Sequence, residues 1–214
     1  MALTSDIGQR IELVPMDPQG GNISIALYRQ VHPEGSQFLV HTYDRSDSAR
    51  RRLEFVARAM RLLGGLEGSS EDVLRLWFSC HSEHRMAVRR IFLEACKLDP
   101  LDKVESRSLA IFDKKSNRTI TITGLGSGTY QLSADGDEEG KTSRIGAVAA
   151  GLLKLGEMVP VTESSTQIAF SCGHPHDSTV ALLLIRALNV RAILREQEMA
   201  ATRGVLSAPS AQKE

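Results

Sequence analysis

Residues 78–88 read FSCHSEHRMAV, and residues 170–180 read FSCGHPHDSTV. Each copy has Phe-Ser-Cys, a His four positions after the Cys, and a Val four positions after that His. Cys80, His84, Cys172 and His176 are thereby set 92 positions apart in pairs. Either the two segments share one chemical task, or they share an ancestor. The residues around them decide for ancestry first.

Shifted by 92 positions, the chain aligns with itself without a gap from about Phe38 to Leu98. Arg52/Arg144, Val56/Val148, Ala57/Ala149, Leu63/Leu155, Gly64/Gly156, Glu71/Glu163 and Ala95/Ala187 are identical, together with the five residues of the quoted stretches. These are twelve identities in the fifty positions from 49 to 98, where ordinary residue usage gives about three by chance. A long period with two copies indicates a duplicated domain rather than a solenoid.

Each copy checks the secondary structure of the other. NISIALY (22–28) and RTITITGL (118–125) alternate apolar and polar residues, as half-buried strands do. Strands are expected before them (RIELVPM, SLAIFDK) and after them (QFLVHTY, TYQLSA), giving an antiparallel meander of three. RQVHPEGS and GLGSG join the second and third strands, the first as the longer loop. Leu53, Val56, Ala57, Met60 and Leu63, mirrored by Ile145, Val148, Ala149, Leu152 and Leu155, fall at helical spacing, with Gly64 and Gly156 placed as C-terminal caps. A fourth strand follows (VLRLWFSC, TQIAFSC), then a second helix carrying Val88, Ile91, Phe92 and Ala95 or Val180, Leu183, Leu184 and Ala187.

The fold class is therefore α+β, two tandem βββαβα repeats, with residues 1–98 as the first, 99–204 as the second and 205–214 as a flexible tail. The second-copy helices IGAVAAGLLKL and VALLLIRAL carry one charge each, so both are expected to be buried on two sides. That places the helix layers between two outer four-stranded sheets, around a pseudo-twofold axis.

This layout resembles the second domain of ribosomal protein S5, and the tandem pair is similar to imidazoleglycerol-phosphate dehydratase. In that family each copy carries His-His-x-x-Glu where the fourth strand meets the second helix, and those residues bind manganese. His84 and His176 fall about where one such ligand stands. Arg85 and Asp177 replace the second His, and no Glu follows at the spacing of the motif. The resemblance implies the fold; the activity does not travel with it.

Composition narrows the function. The 26 basic and 26 acidic residues cancel, so no bulk field selects nucleic acid or an acidic membrane. Three cysteines exclude a full disulfide framework and fit a reducing compartment; the expectation is a cytoplasmic protein of bacterial type. The N-terminus has no signal-peptide pattern, and no apolar run reaches the ~20 residues of a spanning helix. GDEEGKTS (136–143) lacks the first glycine of a phosphate loop at Asp135 and reads as a loop entering a helix.

Three functional readings stay open. The first is a module binding a small ligand or a protein, in the cleft where strand four meets helix two, with self-association allowed. The second is a metal-dependent lyase- or hydrolase-type enzyme that holds zinc or manganese through Cys80, His84, Cys172 and His176. His174 and Asp177 are supplementary candidates, and His81 adds a spare nitrogen. The same Cys–His pairs also suit a thiolate nucleophile and its base. Against both stands a plain structural role, with Cys filling a buried niche and His decorating a helix start. The third reading is nucleic-acid binding through Arg50, Arg51, Arg52, Arg58, Arg61, Arg85, Arg89 and Arg90. Interspersed Asp47, Glu54, Glu83 and Glu94, and the lack of interleaved aromatics, make a solvated, ion-paired face the expectation there.

Overall fold

The computed structural model describes residues 8–15, 24–69, 71–101, 103–104, 108–114, 116–135, 138–161 and 166–188, with backbone alone for 138–143. The tail expected over 205–214 lies outside the described residues. The architecture is α+β, with two open antiparallel sheets and four helices. In the first half, β1 (Gln9–Pro15), β2 (Ser24–His32) and β3 (Gly35–Thr42) precede α1 (Asp47–Gly64), β4 (Glu67–Gly68), β5 (Arg75–Trp77) and α2 (Arg85–Lys97). The second half contributes β6 (Ala110–Asp113), β7 (Arg118–Gly126), β8 (Thr129–Ala134), α3 (Glu138–Gly156), β9 (Val159–Pro160), β10 (Gln167–Ala169) and α4 (Asp177–Ala187). The strand orders are β1-β2-β3-β5-β4 and β6-β7-β8-β10-β9.

Several expectations need correction. Each sheet has five strands rather than four, because the chain leaving α1 or α3 runs two residues along the free edge of the next strand. Glu67 and Gly68 pair with Trp77 and Leu76, and Val159 and Pro160 with Ala169 and Ile168. The order in each half is thus βββαββα. RQVHPEGS is strand rather than loop: Gln30, Val31 and His32 pair with Gln37, Ser36 and Gly35, which leaves a two-residue turn. The expected fourth strand also stops early, at Trp77 and Ala169, and Phe-Ser-Cys belongs to the turn that follows. In addition, Gly140, Lys141 and Thr142 lie within α3 itself rather than in a loop before it.

Alternation along the strands sends one face to the helices. Ile25, Leu27, Phe38 and Val40 pack with Val56, Met60 and Leu63 of α1 and Val88, Ile91 and Phe92 of α2. Ile120, Ile122, Tyr130 and Leu132 do the same with Val148, Leu152, Leu155, Val180, Leu183 and Leu184. On the opposite face of β7 and β8, Thr123 and Ser133 are exposed, and Thr121 and Gln131 are half-buried. Arg52 and Arg144 close the helix ends equivalently: they donate to the carbonyls of Cys96 (2.9 Å) and Leu188 (3.1 Å), which the last turns of α2 and α4 leave without helical partners.

Helices from the two halves touch, α1 against α4 and α2 against both α3 and α4. Within α4 the consecutive residues Leu182, Leu183 and Leu184 are all buried, Leu182 in the first core and the other two in the second. A helix shared between two cores has no polar stripe, which explains why VALLLIRAL shows none. Thr179 completes the joint by donating its Oγ1 hydrogen to the carbonyl of Gly64 at 2.7 Å.

Gly64 and Gly156 do not provide the left-handed caps expected of them. Gly65 (φ 65°) and Glu157 (φ 54°) hold that conformation. The two glycines are instead places of close approach. A Cβ on Gly64 would strike Ile91 Cδ1, and one on Gly156 would lie 2.7 Å from Leu183 Cδ1. Both neighbours are fully buried. Gly156→Ala should therefore lower unfolding stability by about 1–3 kcal/mol through overpacking, although Ala alone favours a helix by about 1 kcal/mol. Urea midpoints read the sign, and a midpoint raised by the substitution would mean that α3 and α4 separate freely.

Candidate metal centre

The site is built from two matching corners. After β5 the chain turns at Phe78-Ser79-Cys80-His81, closed by a bond from His81 N–H to the Phe78 carbonyl at 2.8 Å. After β10 it turns at Phe170-Ser171-Cys172-Gly173, closed by Gly173 N–H to the Phe170 carbonyl at 3.1 Å. The fourth position has positive φ in both, 54° at His81 and 71° at Gly173, a conformation that glycine takes without strain. This turn lifts each cysteine off its sheet toward the start of the following helix. A backbone N–H two residues on then points at each sulfur, Ser82 to Cys80 Sγ and His174 to Cys172 Sγ, both at 3.4 Å. The amide aimed at Cys172 works toward its thiolate, against the effect of burial.

His84 and His176 occupy the N-cap positions of α2 and α4, where Ser, Thr, Asp or Asn would be usual. Ser46 caps α1 in the ordinary way, accepting from Ala49 N–H at 3.2 Å. Neither His caps its helix. Each turns its imidazole back, so that Nε2 lies 3.2 Å from Cys80 Sγ in one corner and 3.3 Å from Cys172 Sγ in the other.

The helix packing then brings the corners together. The two ring centroids are 4.7 Å apart. One ligand atom each from Cys80, His84, Cys172 and His176 all lie within 4.8 Å of one another. Zinc held by sulfur at ~2.3 Å and nitrogen at ~2.05 Å in a tetrahedron requires donor–donor edges of about 3.4 to 3.8 Å. The four residues are thus placed to hold a metal ion with small side-chain adjustments.

Phe78 and Phe170 form the walls, edge-on to both histidines at centroid distances of 4.8 to 5.2 Å. His84 and His176 are 7% and 6% exposed, whereas the two cysteines are half-buried. Burial pulls His84 down to about 4, helped by the charge of His174, and His176 down to about 4, helped by His84 and His174. Both imidazoles are accordingly neutral near pH 7, the form that binds metal. Burial raises the Cys172 thiol, and the neighbouring Cys80 thiol adds to this. A cation among the four donors would oppose that shift by stabilising the thiolates.

The supplementary candidates stand apart from this group. His174 is exposed, its Nδ1 2.9 Å from the Cys172 carbonyl. Asp177 accepts the Tyr130 hydroxyl hydrogen at 2.9 Å. His81 supplies the turn rather than a donor. Cys96, the third cysteine, is buried in the first core with its thiol pushed up to about 12. On the arginine face, Arg50 pairs with Glu54 and Arg89 with Glu12, while Arg51 and Arg52 donate to the carbonyls of Asp47 and Cys96. No helix among the described residues is long and apolar enough to cross a membrane.

Residue types alone gave Phe78 and Phe170 no role beyond the repeat, though their identity in both corners was the available signal. Tyr130 gave none. Its hydroxyl accepts the His176 N–H at 2.6 Å while donating to Asp177, and so fixes the first turn of α4. The equivalent in the first half is Phe38. Compared with known proteins, the chain matches no family model, no curated protein and no solved structure.

Tyr130→Phe tests this clamp. It leaves the buried His176 N–H without an acceptor, and the cost should be about 1–3 kcal/mol. Hydrogen exchange at the start of α4 should quicken with it. An unchanged urea midpoint would mean that the hydroxyl positions nothing.

Proposed function

We propose that this protein is a zinc-binding, two-lobed domain, in which Cys80, His84, Cys172 and His176 hold one ion that staples the lobes together. The observation that carries the reading is the meeting of four potential donors, two from each half, within 4.8 Å of one another. Two sulfurs and two imidazole nitrogens form a soft set that suits zinc, whereas manganese prefers oxygen donors. Four protein donors complete a tetrahedron, as structural zinc sites do, while catalytic zinc keeps a position for water or substrate. This favours a structural ion over the lyase- or hydrolase-type chemistry and over a Cys–His nucleophile pair.

On this reading the lobes are duplicated units of the ribosomal protein S5 second-domain type, related by a pseudo-twofold axis that passes near the ion. Support comes from the shared strand order of the two sheets and from turns, amide–sulfur bonds and arginine contacts recurring 92 residues apart. The ion would take the place of a larger hydrophobic interface. It fastens two corners whose histidines otherwise remain buried without charge.

Full-length protein purified without chelator should contain about one zinc per chain by elemental analysis. Cys80→Ser and Cys172→Ser should each reduce affinity by at least ~100-fold, the upper range even for losing a supporting neighbour of a ligand. Cobalt(II) in the same site should give sulfur-to-metal charge-transfer absorption and intense tetrahedral visible bands. Chelation should lower the thermal midpoint of the wild type and leave that of the serine variants unchanged. A folded chain that takes up neither zinc nor cobalt overturns the reading.

A further inference from the structure

The four donors are not equivalent toward solvent. His84 and His176 are buried behind Phe78 and Phe170, whereas Cys80 and Cys172 are both half-buried and face each other across the joint. Each comes from a different lobe, and each sits on a short turn rather than inside a helix or strand. Their Sγ atoms lie within 4.8 Å, so a disulfide bond of ~2.05 Å requires them to close by less than about 3 Å. The arrangement leaves a choice between two cross-links at one place, a metal ion or a sulfur–sulfur bond. Both cannot be present, since disulfide sulfur has lost the thiolate charge that binds zinc.

We propose that the centre is a redox switch: a hydroperoxide joins Cys80 to Cys172 and expels the zinc. This rests on the zinc reading above. One thiolate attacks the peroxide, the O–O bond breaks, and that sulfur becomes a sulfenic acid while the first oxygen leaves as water. The second thiolate then displaces the sulfenic oxygen as a second water and forms the S–S bond. Together, two thiolates, one hydrogen peroxide and two protons give one disulfide and two waters. Zinc keeps its charge and departs because two of its four ligands are gone; a thiol reductant reverses the step. The lobes stay tethered throughout, so the event changes the metal content of the protein and leaves its fold in place. Cys96 does not take part. It lies in the last turn of α2, at the end opposite the Cys80 turn.

The test uses full-length protein carrying Cys96→Ser, loaded with zinc, and hydrogen peroxide as the oxidant. Zinc release is followed with a colorimetric chelator, and the cysteine state by intact mass and non-reducing peptide mapping. The expected result is one zinc released per disulfide formed, a mass loss of two hydrogens relative to the metal-free dithiol, a Cys80–Cys172 cross-linked peptide, and rebinding of zinc after dithiothreitol. Protein that binds zinc but yields sulfinic acids, intermolecular disulfides or no cross-link overturns the switch and leaves the zinc reading standing. Protein that never binds zinc overturns both, even where peroxide still forms the disulfide. Cys172→Ser made with Cys96 retained adds a second check: peroxide should give no intramolecular disulfide in it, and a Cys80–Cys96 cross-link in the unchanged yield would overturn the pairing of Cys80 with Cys172.

Discussion

The structure depends on the convergence of two strand–turn–helix corners at one point between the lobes. Burying two neutral imidazoles between two phenyl rings removes them from water, and an unpartnered buried polar group is costly. Each imidazole finds its partner in the cysteine of its own turn, at 3.2 and 3.3 Å. Neither Cys–His pair fills its surroundings alone. The rings of His84 and His176 lie edge to face with each other and with the phenylalanines of both corners, so each lobe completes the pocket of the other.

Everything that sets the relative position of the lobes serves this junction. Thr179 is tied to the end of α1 through Gly64, and Arg186 of α4 pairs with Glu94 of α2. Leu182 enters the first core from the second half. The glycines at the ends of α1 and α3 let α2 and α4 approach closely, which carries the N-termini of those two helices, and so their histidines, toward the joint. Conformational entropy explains why so many small devices are needed. The cysteines sit half-buried on short turns, and the adjoining helices must supply the order that those turns do not.

Much of the fold was legible because the chain contains two versions of one pattern. Strand alternation in NISIALY and RTITITGL, and helical spacing from Leu53 to Leu63, were confirmed by their counterparts before any coordinates. The misreadings share a cause. Glu67–Gly68 and Val159–Pro160 are two-residue strands with no alternation to detect, and they exist only because a neighbouring edge offers hydrogen bonds. Gly64 has the residue type of a helix cap, yet its neighbour Gly65 takes the positive φ. Its real constraint is a contact with Ile91, twenty-seven positions away. Such contacts leave no local trace.

The sequence by itself determined that Cys80 and His84, and Cys172 and His176, stand four residues apart at the entrances to two equivalent helices. Local backbone geometry then makes each pair meet, since a tight turn and a short non-helical link to the N-cap return the His ring to the Cys. Whether the pairs meet each other was not local. Tertiary structure decided it, through two helix pairs packing on a shared apolar surface, and the same packing left His174 and Asp177 outside. Side-chain chemistry was written in the residues, but a four-donor site is a statement about distance, and distance between lobes is set only when the cores close.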